Sequence, residues 1–300
     1  MPSNLYTHKD SNIRKTWLLF TLFFGVVMGV GWVFSQAYGD PSILYVAVIF
    51  SMGMSVTSYW FSDKIVLRMS HAEPVTKENA KELYNVVENL AITAGLPTPK
   101  IYIINEPAPN AFATGRNPEH AVVAVTTGLL SRLDRSELEG VIAHELSHIG
   151  NRDMLISTAA VVLVGFISIA SDFFMRSLWW HRSSRDERNN IHPILIIIGL
   201  VLALLAPLAA TLMRLAISRK RELLADASGA LLTRYPDALA NALIKISKDP
   251  TPLRVANNTT AHLWFDDPFD QKPQKPFLHG LFLTHPPVEE RLKALRGLKI

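Results

Sequence analysis

The stretch "VIAHELSHIGNRDMLISTAAVVLVGFISIASDFF", residues 141–174, decides the reading of this chain. His144 and His148 stand four apart with Glu145 between them. On a helix, residues four apart share a face, so both imidazoles can reach one metal ion. Glu145, beside the first of them, is placed to serve as a general base for water activated by that ion. Six residues after His148 the chain turns apolar enough to enter lipid.

That apolar run is one of four. Residues 16–34, 41–61, 154–171 and 191–213 contain no Asp, Glu, Lys or Arg. A helix needs roughly 20 such residues to cross a hydrocarbon core of about 30 Å. They divide the chain into a transmembrane hairpin (1–62), a first soluble part carrying HELSH (63–153), a second hairpin (154–213) and a second soluble part (214–300). A removable signal peptide fits poorly, because the second span follows closely on the first and no small-residue cleavage site is evident. Gly25 and Gly29 form a GxxxG in the first span, read as intramolecular helix packing.

No cysteine is present, which excludes disulfides and thiolate metal sites and leaves His, Asp and Glu as ligands. The net charge of +4 collects beside the spans, at Arg14 and Lys15, Lys64 and Arg68, and from Arg214 to Arg221. Charge so placed follows the membrane rather than a nucleic acid, so no nucleic-acid partner is expected. Arg14 and Lys15 put the N-terminus, and with it HELSH, on the cytoplasmic side. The loop 175–190 carries Arg176, Arg182, Arg185 and Arg188 against that rule, but span length favours full crossing by the second hairpin.

In the soluble parts, Leu83, Val86, Val87 and Leu90 recur at helical spacing between a cap at Thr76 and a stop at Gly95. "KIYIIN" and "HAVVAVTT" read as short strands, with a third extended segment around Ala111–Thr114. Asp134 and Glu137 make a capping box for the HELSH helix, which Gly150 ends. "SRKRELLADASGALLTRY" and "PDALANALIKIS" read as helices. Residues 249–283 read mostly as loop, and a last helix begins near "THPPVEERLKALR". The fold class is mainly α with a small β-sheet.

A third ligand is required. The continuation H-x-x-G-x-x-H is absent, since Asn151 and Met154 stand where its Gly and His belong. "RKRELLADA" offers Glu222 as the ligand, with Asp226 four residues on as an outer partner for a ligand histidine. His181, His192, His262 and His279 are the rival ligands.

HELSH, two apolar segments and then "SRKRELLADASGALL", preceded by "NAFATG" and closed by "THPPVEERLKAL", resembles the HtpX family of bacterial membrane zinc metalloproteases, relatives of the eukaryotic CAAX prenyl protease. The resemblance runs over nearly the whole chain. It implies four transmembrane helices with a zincin-like (gluzincin) metalloprotease domain. One zinc ion would be held by His144, His148 and Glu222, with Glu145 catalytic. It further implies a multi-pass protein of the cell inner membrane, its protease domain facing the cytoplasm, that clears misfolded or membrane-associated proteins. By the same resemblance Asn110 and Ala111 belong to an edge strand that receives substrate backbone. His285 and Arg221 both stand as donors to the developing oxyanion.

Two other classes compete. A membrane scaffold with a structural metal site would have no use for Glu145. A transporter is disfavoured because the spans carry almost no ionisable residues. The sequence carries no signal for an oligomeric state.

Overall fold

The computed structural model describes residues 5–182, 218–256, 260–266 and 286–298, and positions 201, 205 and 209. Helix α1 (Leu5–Tyr38) and helix α2 (Ser42–Met69) form the first hairpin, both long and apolar enough to cross a membrane. Each outruns its charge-free stretch. The α2 face with Ser51, Ser58 and Ser62 turns inward, and Ser58 Oγ donates to the carbonyl of Ala159. Tyr45, Ile49 and Val56 stay exposed. Small residues inside and large apolar ones outside are the pattern of a helix solvated by lipid. The tight α1–α2 approach falls at Gly31, where a Cβ would lie 2.5 Å from Ala47 Cβ. Among the described residues nothing lies within 4 Å of a Cβ placed at Gly25 or Gly29, so the GxxxG makes no such close contact with them.

A four-stranded sheet follows, in the order β1-β2-β4-β3. Strand β1 (Ala72–Pro74) pairs antiparallel with β2 (Lys100–Ile104), which runs parallel to β4 (Val122–Thr126). Strand β3 (Ala111–Thr114) closes the far edge antiparallel to β4. The sequence reading missed β1, whose three residues are too few to show a period. Helix α3 (Lys81–Thr93) starts later than expected. Thr76 does not cap it: residues 76–80 form a turn in which Asn79 Oδ1 accepts the Thr76 N–H.

Every residue of β4 is buried, because the sheet is covered on both faces. Val123 and Val125 point into a core made with α3 and the HELSH helix. Val122 and Ala124 point the other way, towards Val66, Leu67, Phe112 and Trp264. Alternation along a strand produces this two-sided burial.

After a short helix α4 (Thr127–Arg132), which the sequence reading also missed, α5 (Arg135–Gly150) carries HELSH through the middle of the domain. Its capping box is present. Asp134 Oδ1 accepts from the Glu137 N–H, and Glu137 Oε2 accepts from the Asp134 N–H, both at 2.9 Å. The helix stops at Gly150, Arg152 takes φ +56°, and α6 (Asp153–Arg182) leaves at 84° to α5. Two more helices, α7 (Arg219–Thr233) and α8 (Pro236–Ser247), pack on α5. The last, α9 (Val288–Arg296), packs on both of these.

Ile156, Ala159, Ala160 and Leu163 of α6 share an apolar cluster with Leu19, Phe20 and Phe23 of α1 and with Val201 and Leu205. The described residues contain two helices able to span, or three if α5 and the start of α6 count as one bent span. The rest of the fourth stretch, 191–213, lies outside the described residues.

Candidate metal centre

Helix α5 is buried almost all round, so its polar residues are forced into the core: His144 is 1% and Glu145 3% exposed. The two imidazoles bring their Nε2 atoms to 3.1 Å. Helix α7 crosses directly over them. Gly229 makes that crossing feasible, since a Cβ there would stand 2.8 Å from the His144 backbone nitrogen. Glu222, Asp226 and Gly229 follow at helical spacing on the facing side of α7. Glu222 Oε2 lies 3.8 Å from His144 Nε2, and Oε1 lies 3.6 Å from His148 Nε2.

Among the described residues, His144, His148 and Glu222 are the group whose ligand atoms converge closely enough to hold a metal. Tetrahedral coordination at about 2.0–2.1 Å places ligand atoms about 3.3 Å apart. The three distances above bracket that value. The donor set, two imidazole nitrogens and a carboxylate, suits zinc chemically.

Electrostatics agree. Burial pushes the His144 imidazole down to about 4, although Asp226 pulls the other way. Burial also works against a charge on His148, which is 16% exposed, yet the Glu222 carboxylate and Asp153 carry it up to about 9. The carboxylates of Asp226, Glu222 and Asp153 thus set a negative field around the two rings.

Behind each histidine stands a carboxylate. His144 Nδ1 lies 2.8 Å from Asp226 Oδ1, a close polar contact. Asp226 is itself clamped by Arg291, with Nε to Oδ2 at 2.8 Å and Nη2 to Oδ1 at 2.7 Å, while Nη1 donates to the carbonyl of Phe265. Both side chains are 1% exposed. Despite burial, the guanidinium holds the Asp226 carboxyl well below the usual carboxylate range. Behind His148, Asp153 Oδ2 lies 3.0 Å from Nδ1. Arg291 and Asp153 were both missed from sequence. Arg291 lies in the segment read only as the last helix, and the carboxylate it meets is what reveals its role.

The cleft over His144, His148 and Glu222 has a volume of about 40 Å³, room for an ion and little more than a few waters. Glu145, Ala113, Arg221, His262 and Trp264 also line it. His262 Nε2 is 3.1 Å from the carbonyl of Ser157 and lies outside the ligand group. His192, His279 and His285, and the side chain of His181, lie outside the described residues. Arg221 is buried and turned towards Asp153 (Nε to Oδ1, 3.7 Å) and Asn12 (Nη1 to Oδ1, 3.4 Å).

Strand β3 is the sheet edge nearest the cleft. Asn110 precedes it with its side chain committed, Nδ2 donating to the Asp266 carbonyl at 3.0 Å and Oδ1 accepting the Ala111 N–H at 3.0 Å. The Ala111 carbonyl accepts from the Phe265 N–H at 2.8 Å. Asn110 also pairs inward with Thr126, so strand alternation aims the peptide groups of Ala113 at the open edge.

A helix-borne HELSH met by a carboxylate from a later helix invites comparison with known peptidases. Residues 77–299 match the model of "Peptidase family M48". The chain belongs to peptidase family M48. It is 44% identical to "Protease HtpX homolog" of Caldanaerobacter subterraneus subsp. tengcongensis over 99% of this chain and 98% of that protein. Against the protein of the same name from Pyrococcus furiosus it is 47% identical, with 95% of each chain covered. The crystal structure of S. mikatae Ste24p superposes with a TM-score of 0.51 at 20% identity, over 97% of this chain and 67% of that one, which shows a shared fold. Two apolar helices and this membership make the chain a membrane-bound metalloprotease and do not favour the scaffold reading.

Proposed function

We propose that the chain is a zinc-dependent endopeptidase of the cytoplasmic membrane surface, with one zinc ion per chain held by His144, His148 and Glu222. The observation that carries the reading is the convergence of three ligand atoms beside Glu145 in one cleft. Zinc in that position would supply a Lewis acid that polarises a peptide carbonyl and lowers the pKa of water. Glu145 takes the proton as water attacks the carbonyl carbon, then gives it to the departing amine nitrogen, so that one acid–base group serves both steps.

Strand β3 receives substrate backbone by strand addition. Asn110 and Ala111 shape the edge, and because their own polar groups are engaged, Ala113 is the residue that meets the peptide next to the ligands. For the oxyanion donor, Arg221 lines the cleft, but its guanidinium leans towards Asp153; His285 is the alternative on the THPP segment.

Substrates are membrane-associated or misfolded chains, a reading supported by the site's depth. Asn12 touches the residues behind His148, and the first charge-free stretch begins at Thr16, about one helical turn along α1. A peptide leaving lipid meets the cleft there. With Arg14 and Lys15 on the cytoplasmic side, all four apolar stretches cross the inner membrane.

Metal content and casein cleavage by detergent-purified protein test this. One zinc per chain, with cleavage abolished by chelation and restored by zinc, is expected. Stoichiometric zinc without cleavage of any unfolded protein would overturn the endopeptidase.

A further inference from the structure

The end of α1 that precedes its apolar run reaches into the metal centre. Asn12 is 3% exposed. Its Nδ2 donates to the Asn151 carbonyl at 3.1 Å and to Asp153 Oδ1, while its Oδ1 accepts from Arg221 Nη1 at 3.4 Å. All of its main hydrogen-bonding directions are used, and they fix the amide's orientation: flipped, the oxygen would face two acceptors. Asp153 then has one oxygen on Asn12 and the other on His148 Nδ1.

Backbone geometry explains how Asp153 gets there. In a continuous helix a residue five after His148 would point about 140° away from it. The positive φ at Arg152 and the 84° turn into α6 bring Asp153 back over the imidazole. A buried carboxylate left without donors would carry an unrelieved desolvation cost, so Asn12 and Arg221 are what hold it in place and aimed.

We propose that Asn12 and Asp153 are positioning residues for His148, so that seating of the first membrane helix sets the affinity of the metal site. Asp153 holds the proton on Nδ1 and leaves Nε2 free to face the metal. Asn12 holds Asp153. This rests on His148 being a zinc ligand. By linkage, zinc binding and the docking of α1 against the start of α6 strengthen each other.

The test is zinc affinity of the full chain in detergent, measured by competition with a chromophoric chelator. Tm of each metal-free variant serves as a fold control, and absorption of the cobalt(II) form as a probe of the ligand field. Asp153→Asn, nearly isosteric, is expected to weaken zinc about 10–100-fold and to shift the cobalt bands. Asn12→Ala should weaken zinc by a smaller factor, and excess zinc should restore its cleavage rate. Asn12→Ala combined with Asp153→Asn should be no weaker than Asp153→Asn alone, because Asn12 acts through Asp153. Asp153→Glu should recover part of the affinity. Zinc within twofold of wild type and unshifted cobalt bands in Asp153→Asn would overturn the proposal, as would additive losses in the pair. Zinc uptake unaffected by His148→Ala would instead remove His148 as a ligand, overturning the metal assignment and this inference with it.

Discussion

His144 Nε2 and His148 Nε2 face each other across 3.1 Å, with a carboxylate of α7 completing the triangle and a second carboxylate behind each ring. Each imidazole is thus held from the back and open at the front. Metal affinity and catalysis can be separated by mutation on that basis.

Glu145 is placed for proton transfer and lies outside the ligand group. Glu145→Gln should retain zinc and fold while losing about 10²–10⁴ in cleavage rate. Casein cleavage beside zinc stoichiometry checks this; activity within a few-fold of wild type would remove Glu145 from the mechanism.

Glu222 and Asp226 should separate by degree. Glu222→Ala removes a proposed ligand, so bound zinc and activity should fall together. Asp226→Ala leaves three ligands and should weaken zinc about 10–100-fold, with activity returning in excess metal. Metal analysis of both purified variants decides. Full zinc occupancy in folded Glu222→Ala protein would point to a ligand elsewhere.

Arg291 neutralises Asp226 in a pair that is nearly inaccessible to water. Removing one member of such a pair costs about 3–5 kcal/mol, because the other stays buried and charged. Arg291→Met should therefore lower stability by about that amount in denaturant unfolding. Arg291→Met together with Asp226→Leu should recover much of the loss while leaving zinc weak. No recovery in the double variant would mean that Arg291 acts mainly through Phe265.

Gly229→Ala tests the crossing of α7 over α5. The added methyl would stand 2.8 Å from backbone that cannot move cheaply. Overpacking of this kind costs about 1–3 kcal/mol, and the shift of α7 should carry Glu222 off the histidines and weaken zinc. Unchanged Tm and zinc affinity would show that α7 has room to slide.

Topology can be read with single cysteines, since the chain has none. A cysteine at Ser183, between the third and fourth apolar stretches, should react with a membrane-impermeant reagent from outside intact cells. One at Lys81, exposed at the start of α3, should react only after permeabilisation. Protection at Ser183 would reduce the number of crossing segments to two.

The sequence by itself determined the candidate ligand cluster and most helices, because that information is local. HELSH needs only helical spacing to converge, Asp134 and Glu137 cap their own helix, and charge-free length marks a span. The match between Glu222 and the histidines was legible as chemistry, a missing third donor met by an acid four residues before another. Tertiary structure decided whatever depends on two distant segments meeting. Asp153 reaches His148 only through a positive φ and a sharp bend, Asn12 only because α1 packs on α6, and Arg291 only because α9 brings it to Asp226. Strand β1 exists through its pairing with β2, and Thr76 lost its cap to a turn closed by Asn79. The physical reason is the same in each case. Local patterns report free energies within a few turns of chain, whereas a buried polar group is stable only where its partner arrives, and that partner is fixed by packing.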